Sequence, residues 1–139
     1  MFSWESDFED AVKTISVYSR KLQALRSLME SRGISGRTAG FLQKELENYV
    51  KAIEARRQTL MERLETRLRE VQQQVEVFEK LVAENEIKHS AREIAEDKYT
   101  KIAAALNNAL EESRNEYESL REAITILAKL PEQTSQRSR

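Results

Sequence analysis

Apolar residues recur along most of the chain at the alternating three-and-four spacing of a helix packed lengthwise on a partner. In the first stretch, from about Trp4 to Arg32, Phe8, Ile15, Leu22 and Met29 hold one heptad position, and Ala11, Tyr18 and Leu25 hold the other. The second stretch starts near Ser35 and carries two seams in different frames. Leu42, Leu46, Tyr49, Ile53 and Leu60 make the first; Leu64, Leu68, Val71, Val75, Phe78 and Val82 make the second. The step from Leu60 to Leu64 is a stutter, which locally unwinds a supercoil. Arg56 and Arg57 stand just before it, where the first seam loses its apolar residue, so the pattern predicts one continuous helix that changes packing partner there. The third stretch has Ala103, Leu110, Tyr117 and Ile124 at one core position and Tyr99, Leu106, Ser113, Leu120 and Leu127 at the other.

The breaks between these helices follow from punctuation. Gly33 suits the left-handed residue after a helix end, and Ser35 suits the next N-cap. Between Val82 and Tyr99 either frame meets Asn85, His89, Arg92 or Glu96, so the seam fails there. Ser90-Ala91-Arg92-Glu93 matches a capping box with Ile94 placed to close over it, which puts a turn within 88–95. No Gly or Pro marks that turn, and an unbroken helix from 36 to 129 is the alternative. Ile34, Leu42, Leu46 and Val50 also recur in register as Ile94, Ile102, Leu106 and Leu110, a faint internal repeat of helix, short turn, helix.

The expected fold is therefore all-α: an elongated antiparallel helical hairpin, or coiled coil, of three helices in the order short, long, medium, with a long central helix. At about 1.5 Å per residue the central helix spans roughly 80 Å. One helical domain covers 1–130, and the polar stretch opened by Pro131 reads as a disordered tail over 131–139. Two packed helices bury little area, and a second apolar strip lies off the main seam of the third helix: Ile102, Ala105, Ala109, Ala123, Ile126 and Leu130. Val50 and Val77 lie off the seams of the central helix in the same way. Unburied apolar strips mark partners, so this one is the expected surface for self-association.

Composition narrows the chemistry. The chain has 139 residues with 23 Lys plus Arg against 24 Asp plus Glu, a formal net charge of −1, and so lacks the positive excess that phosphate binding draws on. It has no Cys, hence no disulfide framework, thiol nucleophile or Cys-ligated zinc. Its longest apolar run, Ala123-Ile124-Thr125-Ile126-Leu127-Ala128, is far too short to span a bilayer. Met1-Phe2-Ser3-Trp4 runs into acidic residues without the pattern of a secretion signal, and the expected location is the cytoplasm.

Candidate sites weigh up as structural. His89 is the only histidine, and Glu86-Ile87-Lys88-His89 has the spacing of one half of a di-iron site. Such sites need a second copy and further carboxylates in an apolar core, so no metal or other cofactor is expected. Gly33 to Gly40 lacks the Gly-Lys-Ser/Thr ending of a phosphate loop. Arg56, Arg57, Arg63, Arg67 and Arg69 alternate with Glu54, Glu62, Glu65 and Glu70, which reads as a solvated face with local ion pairs rather than a nucleic-acid stripe. Phe2, Trp4 and Phe8 are flanked by Glu5, Asp7, Glu9 and Asp10, where a membrane-surface helix carries Lys or Arg. They read as packing at a helix end.

Residues Glu93-Ile94-Ala95-Glu96-Asp97-Lys98-Tyr99 resemble a pattern of archaeal coiled-coil proteins, in which a Gly-Glu-Ile turn is followed by a Ser cap, acidic residues and Tyr. The stretch 40–128 is similar to the coiled-coil part of CdvA, an archaeal cell-division family that recruits ESCRT-III homologues. Arg92 stands at the turn glycine of that pattern, and Ala95 at its cap. The resemblance implies a filament-forming scaffold in division or membrane remodelling.

Together these readings give a non-enzymatic protein that works by assembly as a homo-oligomer. Its structural seam is Leu64, Leu68, Val71, Val75, Phe78 and Val82 against Tyr99, Leu106, Leu110, Tyr117, Leu120, Ile124 and Leu127. No small-molecule substrate, nucleic acid or membrane is expected as a partner. Two rival readings are an adaptor that takes a partner's helix on the spare strip, and a membrane-remodelling protein of ESCRT-III type.

Overall fold

Heptad patterning carried through three segments gives three α-helices: α1 (Glu5–Glu30), α2 (Gly36–Ser90) and α3 (Glu96–Arg137). The computed structural model describes the backbone of residues 1–31 and 33–137, and the side chains of 1–31 and 33–130. Among these residues there is no strand. The fold is the all-α antiparallel hairpin of three helices with the long one in the centre.

The first turn is built as its residues require. Ser31 closes α1, with its N–H and its hydroxyl both donating to the Leu28 carbonyl. Gly33 takes φ +91°, a region that carries a steric cost for any residue with a Cβ. Ser35 caps α2: its Oγ accepts from the Thr38 N–H at 3.2 Å, and its carbonyl accepts from the Ala39 N–H.

The second turn falls within the expected 88–95, and the unbroken-helix alternative does not occur. It is made differently from the expected capping box, however. Ser90 is the last residue of α2, and the Glu93 N–H runs back to the Lys88 carbonyl at 2.9 Å while the Arg92 N–H reaches the His89 carbonyl at 3.1 Å. This is a Schellman closure with Arg92 as its left-handed residue, at φ 61°. Since Glu93 gives its N–H to α2, Ser90 is left with no helix start to cap. Ala95 stands before α3 without a side-chain acceptor, and Glu96 and Asp97 supply negative charge to that first turn instead.

The helices form two compact units. The first is Met1–Leu64 with the end of α3 from Ala123, so it holds three helical segments. α1 runs antiparallel to the start of α2, as Asp7 meets Arg63 at 3.4 Å and the rings of Tyr18 and Tyr49 lie 5.5 Å apart. Its core includes Ala11, Ile15, Leu42, Ile53, Leu60 and Leu127, each buried. The second unit, Glu65–Glu122, is a two-helix hairpin. The boundary on α2 follows Leu64, at the stutter: before it α2 shares a unit with α1 and the end of α3, and after it with α3 alone, so the set of packing partners changes where the frame shifts.

The backbone of α3 runs on through Pro131 to Arg137, within the stretch expected as a disordered tail, whose side chains lie outside the described residues. Ser138 and Arg139 lie outside the described residues.

Candidate assembly surface

The seam residues come first, because they fix which faces are left over. In the hairpin unit Val71 and Leu120 are fully buried, Leu110 is buried, and Leu68, Val75, Phe78, Val82, Tyr99, Leu106 and Tyr117 are buried or half-buried. In the other unit Leu64 and Leu127 are fully buried and Ile124 is half-buried. None of the thirteen is exposed.

Where the apolar seam fails, the hairpin closes with polar groups instead. Asn85 is buried and donates its Nδ2 to the Tyr99 carbonyl at 3.3 Å. The His89 ring stacks on the Tyr99 ring at 3.7 Å between centroids, and its Nε2 lies 2.7 Å from a Glu96 carboxylate oxygen. The Tyr99 hydroxyl donates to Glu86. That bond raises the Tyr99 pKa above its ordinary value, with burial and the charges of Glu86 and Glu96 adding to the effect. Glu86 and His89, the two groups of the candidate metal motif, thus both engage Tyr99, Glu86 at its hydroxyl and His89 at its ring face. Among the described residues no group of three or more potential ligands gathers.

Farther from the turn, Arg67 makes a bidentate pair with Glu116, Nε to Oε2 at 2.8 Å and Nη2 to Oε1 at 2.9 Å, and reaches Glu70 at 3.2 Å. The Glu116 hydrogen bonds raise the Arg67 pKa further above its already high value, against some desolvation. The sequence reading treats Arg67 as part of a solvated face and gives Glu116 no role. The signal that could have found Glu116 is its place between Ser113 and Leu120, on the seam side of α3. Arg57 fits the local-pairing reading, on Glu54, whereas Arg63 reaches Asp7 on α1.

The strip residues divide between the units. In the hairpin, Ile102 and Ala109 are half-buried and Ala105 is exposed. In the other unit Ile126 is 40% exposed and Leu130 is half-buried. Ala123 is a correction: it is only 3% exposed and belongs to the core. Three helical segments share its unit, so an off-seam position can be covered from more than one side.

The hairpin strip has a component on α2 that the α3 periodicity alone does not reveal. Val77 and Leu81, 53% and 38% exposed, follow one another at i and i+4. A cleft of about 300 Å³ joins the two helices: Leu81, Ile94, Ile102 and Leu106 line it, with Glu84, Lys88 and Lys98 as its charged residues. Val77 adjoins a second groove with Phe78, Gln73, Gln74 and Glu70. On the opposite side α2 carries Glu65, Arg69, Gln72, Glu76 and Glu79, all exposed. The hairpin has one wholly polar face and one on which apolar residues stand among charged ones.

Paired heptad seams in antiparallel helices, with an apolar strip left over, define a coiled-coil protein of the hairpin type. The family model described as CdvA-like coiled-coil domain matches residues 3–139, and the chain belongs to that family. No curated protein and no solved structure matches it.

Proposed function

We propose that this chain is a non-enzymatic coiled-coil scaffold that works by self-association, in cell division or membrane remodelling as its CdvA-like family membership suggests. The observation that carries the reading is the contrast between the two faces of the hairpin. A two-helix layer with Val77 and Leu81 open beside Ile102 leaves apolar surface that water disfavours, at about 25 cal/mol per Å². A homo-oligomer covers it, and the cytoplasm is the proposed location. Among the described residues no helix is long and apolar enough to cross a membrane.

Sedimentation velocity over a wide concentration range tests the proposal. A dimer or a growing series of species is expected, and Ile102→Lys with Ile126→Lys should dissolve it while leaving helicity intact. A monomer at every concentration would overturn it. The cleft between Leu81 and Ile102 favours one second reading, an adaptor that takes a helix of a different protein there. A chain that stays monomeric alone and binds such a helix in that cleft would establish it.

A further inference from the structure

We infer that the apolar face of the hairpin takes a second copy of this chain, antiparallel, with α3 on α3 and α2 on α2 across a two-fold axis at the level of Ala105. The inference rests on the self-association reading and adds the geometry of the contact.

Charge on α3 carries the argument. Lys98, Ala105 and Glu112 occupy the same heptad position, so they lie along one line with Ala105 midway between opposite charges. On α2 the charges cancel instead, since Glu84 stands beside Lys88 and Glu70 is paired with Arg67. Lys98 and Glu112 are exposed. The midpoint of Val77 and Leu81 on α2 lies at the level of Ala105. Asn85 on α2 touches Tyr99 on α3, and equal steps back along α2 and forward along α3 from that contact lead to the Val77–Leu81 midpoint and to Ala105.

The α3 line is therefore positive toward the turn, apolar at Ala105 and negative beyond it. Two copies in this arrangement set every Lys98 opposite a Glu112, while the apolar centres meet. Turning the second copy so that both turns point the same way sets α3 on α2, and Lys98 then lies at the level of Glu84 and Lys88 together, with no net attraction. Ala105 and Ala109 are small enough to let two α3 helices approach closely. Such a pair closes on itself and makes a four-helix layer of the kind that bundles use.

The test is charge reversal in the full chain, read by sedimentation at low salt with circular dichroism as the check on folding. Lys98→Glu alone and Glu112→Lys alone should each weaken association by about tenfold or more, because both symmetry-related pairs become repulsive. Mixing the two variants should restore it, since the mixed dimer regains both attractive pairs, and the double variant should restore it too. Because the chain has no cysteine, Ala105→Cys gives a clean second readout. Its thiols meet on the axis and should form an intermolecular disulfide under oxidation. Those of Ala109→Cys are offset along the helices by more than the roughly 7 Å that a disulfide spans, and should not.

A wild-type chain that associates while single reversals change nothing, or while the mixture fails to recover, would overturn this geometry and leave self-association standing. Ala109→Cys crosslinking as well as Ala105→Cys would overturn it in the same way. A wild-type chain that never associates would overturn both readings.

Discussion

Removing the Arg67 guanidinium should be far more damaging than removing the carboxylate it holds. Glu116 retains only 10% of its side-chain exposure, whereas Arg67 keeps 32% and has Glu70 as a second partner. In Arg67→Ala the carboxylate stays desolvated and loses both hydrogen bonds that the guanidinium gives it. A fully buried pair broken in this way costs about 3–5 kcal/mol, and the partial exposure of Arg67 brings the expectation down to roughly 2–3 kcal/mol. In Glu116→Ala the guanidinium can turn to water and to Glu70, and the cost should be roughly 1 kcal/mol. Replacing both groups by apolar ones of similar volume, Arg67→Met with Glu116→Leu, removes the desolvation penalty along with the attraction and should be close to neutral.

Urea unfolding of wild type, the two alanine variants and the Arg67→Ala/Glu116→Ala double at one pH closes a double-mutant cycle and measures the coupling directly, with the Met/Leu pair read beside it. On a thermal scale the Arg67→Ala loss corresponds to roughly 6–12 °C in Tm. Equal costs for the two single variants, or a double variant as unstable as the sum of the singles, would refute the reasoning.

Four further outcomes are expected. Leu120→Asp places a charge at a fully buried position and should unfold the hairpin unit, so normal helicity and melting in this variant would contradict the assigned seam. Arg92→Gly removes a left-handed non-glycine residue and should stabilise the chain by roughly 1 kcal/mol in urea unfolding; a loss would contradict the Schellman closure. The raised pKa of Tyr99 means its contribution is complete below about pH 10 and is lost as pH rises through the folded-state value. Stability should accordingly fall more steeply in wild type than in Tyr99→Phe above that pH, and parallel curves would remove Tyr99 from the account. Arg57, half-buried at a seam position, has a buried Nε with no partner among the described residues, so Arg57→Leu should gain roughly 1 kcal/mol in the same assay.

Periodicity was enough to locate the helices because the seam residues are the ones that water drives inward. Ile15, Leu64, Val71, Leu120 and Leu127 are all on predicted lines and all fully buried. Local chemistry was equally legible at Gly33 and Ser35, where a positive φ and a side-chain cap have few residues able to supply them. The second turn misled because Arg92 and Glu93 belong both to a capping-box pattern and to a Schellman closure, and only backbone geometry distinguishes the two. Asn85 and His89 looked like the end of a seam, yet they continue it through a side-chain amide bond and a ring stack. Polar groups give no hydropathy signal when they are buried in pairs, which also hid Glu116. Ala123 shows the remaining limit: a single-helix pattern tells which side of a helix is apolar, but cannot count how many neighbours cover it.

The order of contacts along the hairpin also prescribes how it is made. His89 and Glu96 are separated by 7 residues in sequence, Asn85 and Tyr99 by 14, and Arg67 and Glu116 by 49. Each contact shortens the loop that the next one must close, and closure entropy grows only with the logarithm of loop length. Pairing should start at the Arg92 bend and propagate toward Leu120, as local topologies do in fast-folding helical proteins. Substitutions near Tyr99 would then slow folding, and those near Leu120 would mainly speed unfolding. The bend that costs a left-handed arginine is thus the point from which the hairpin grows.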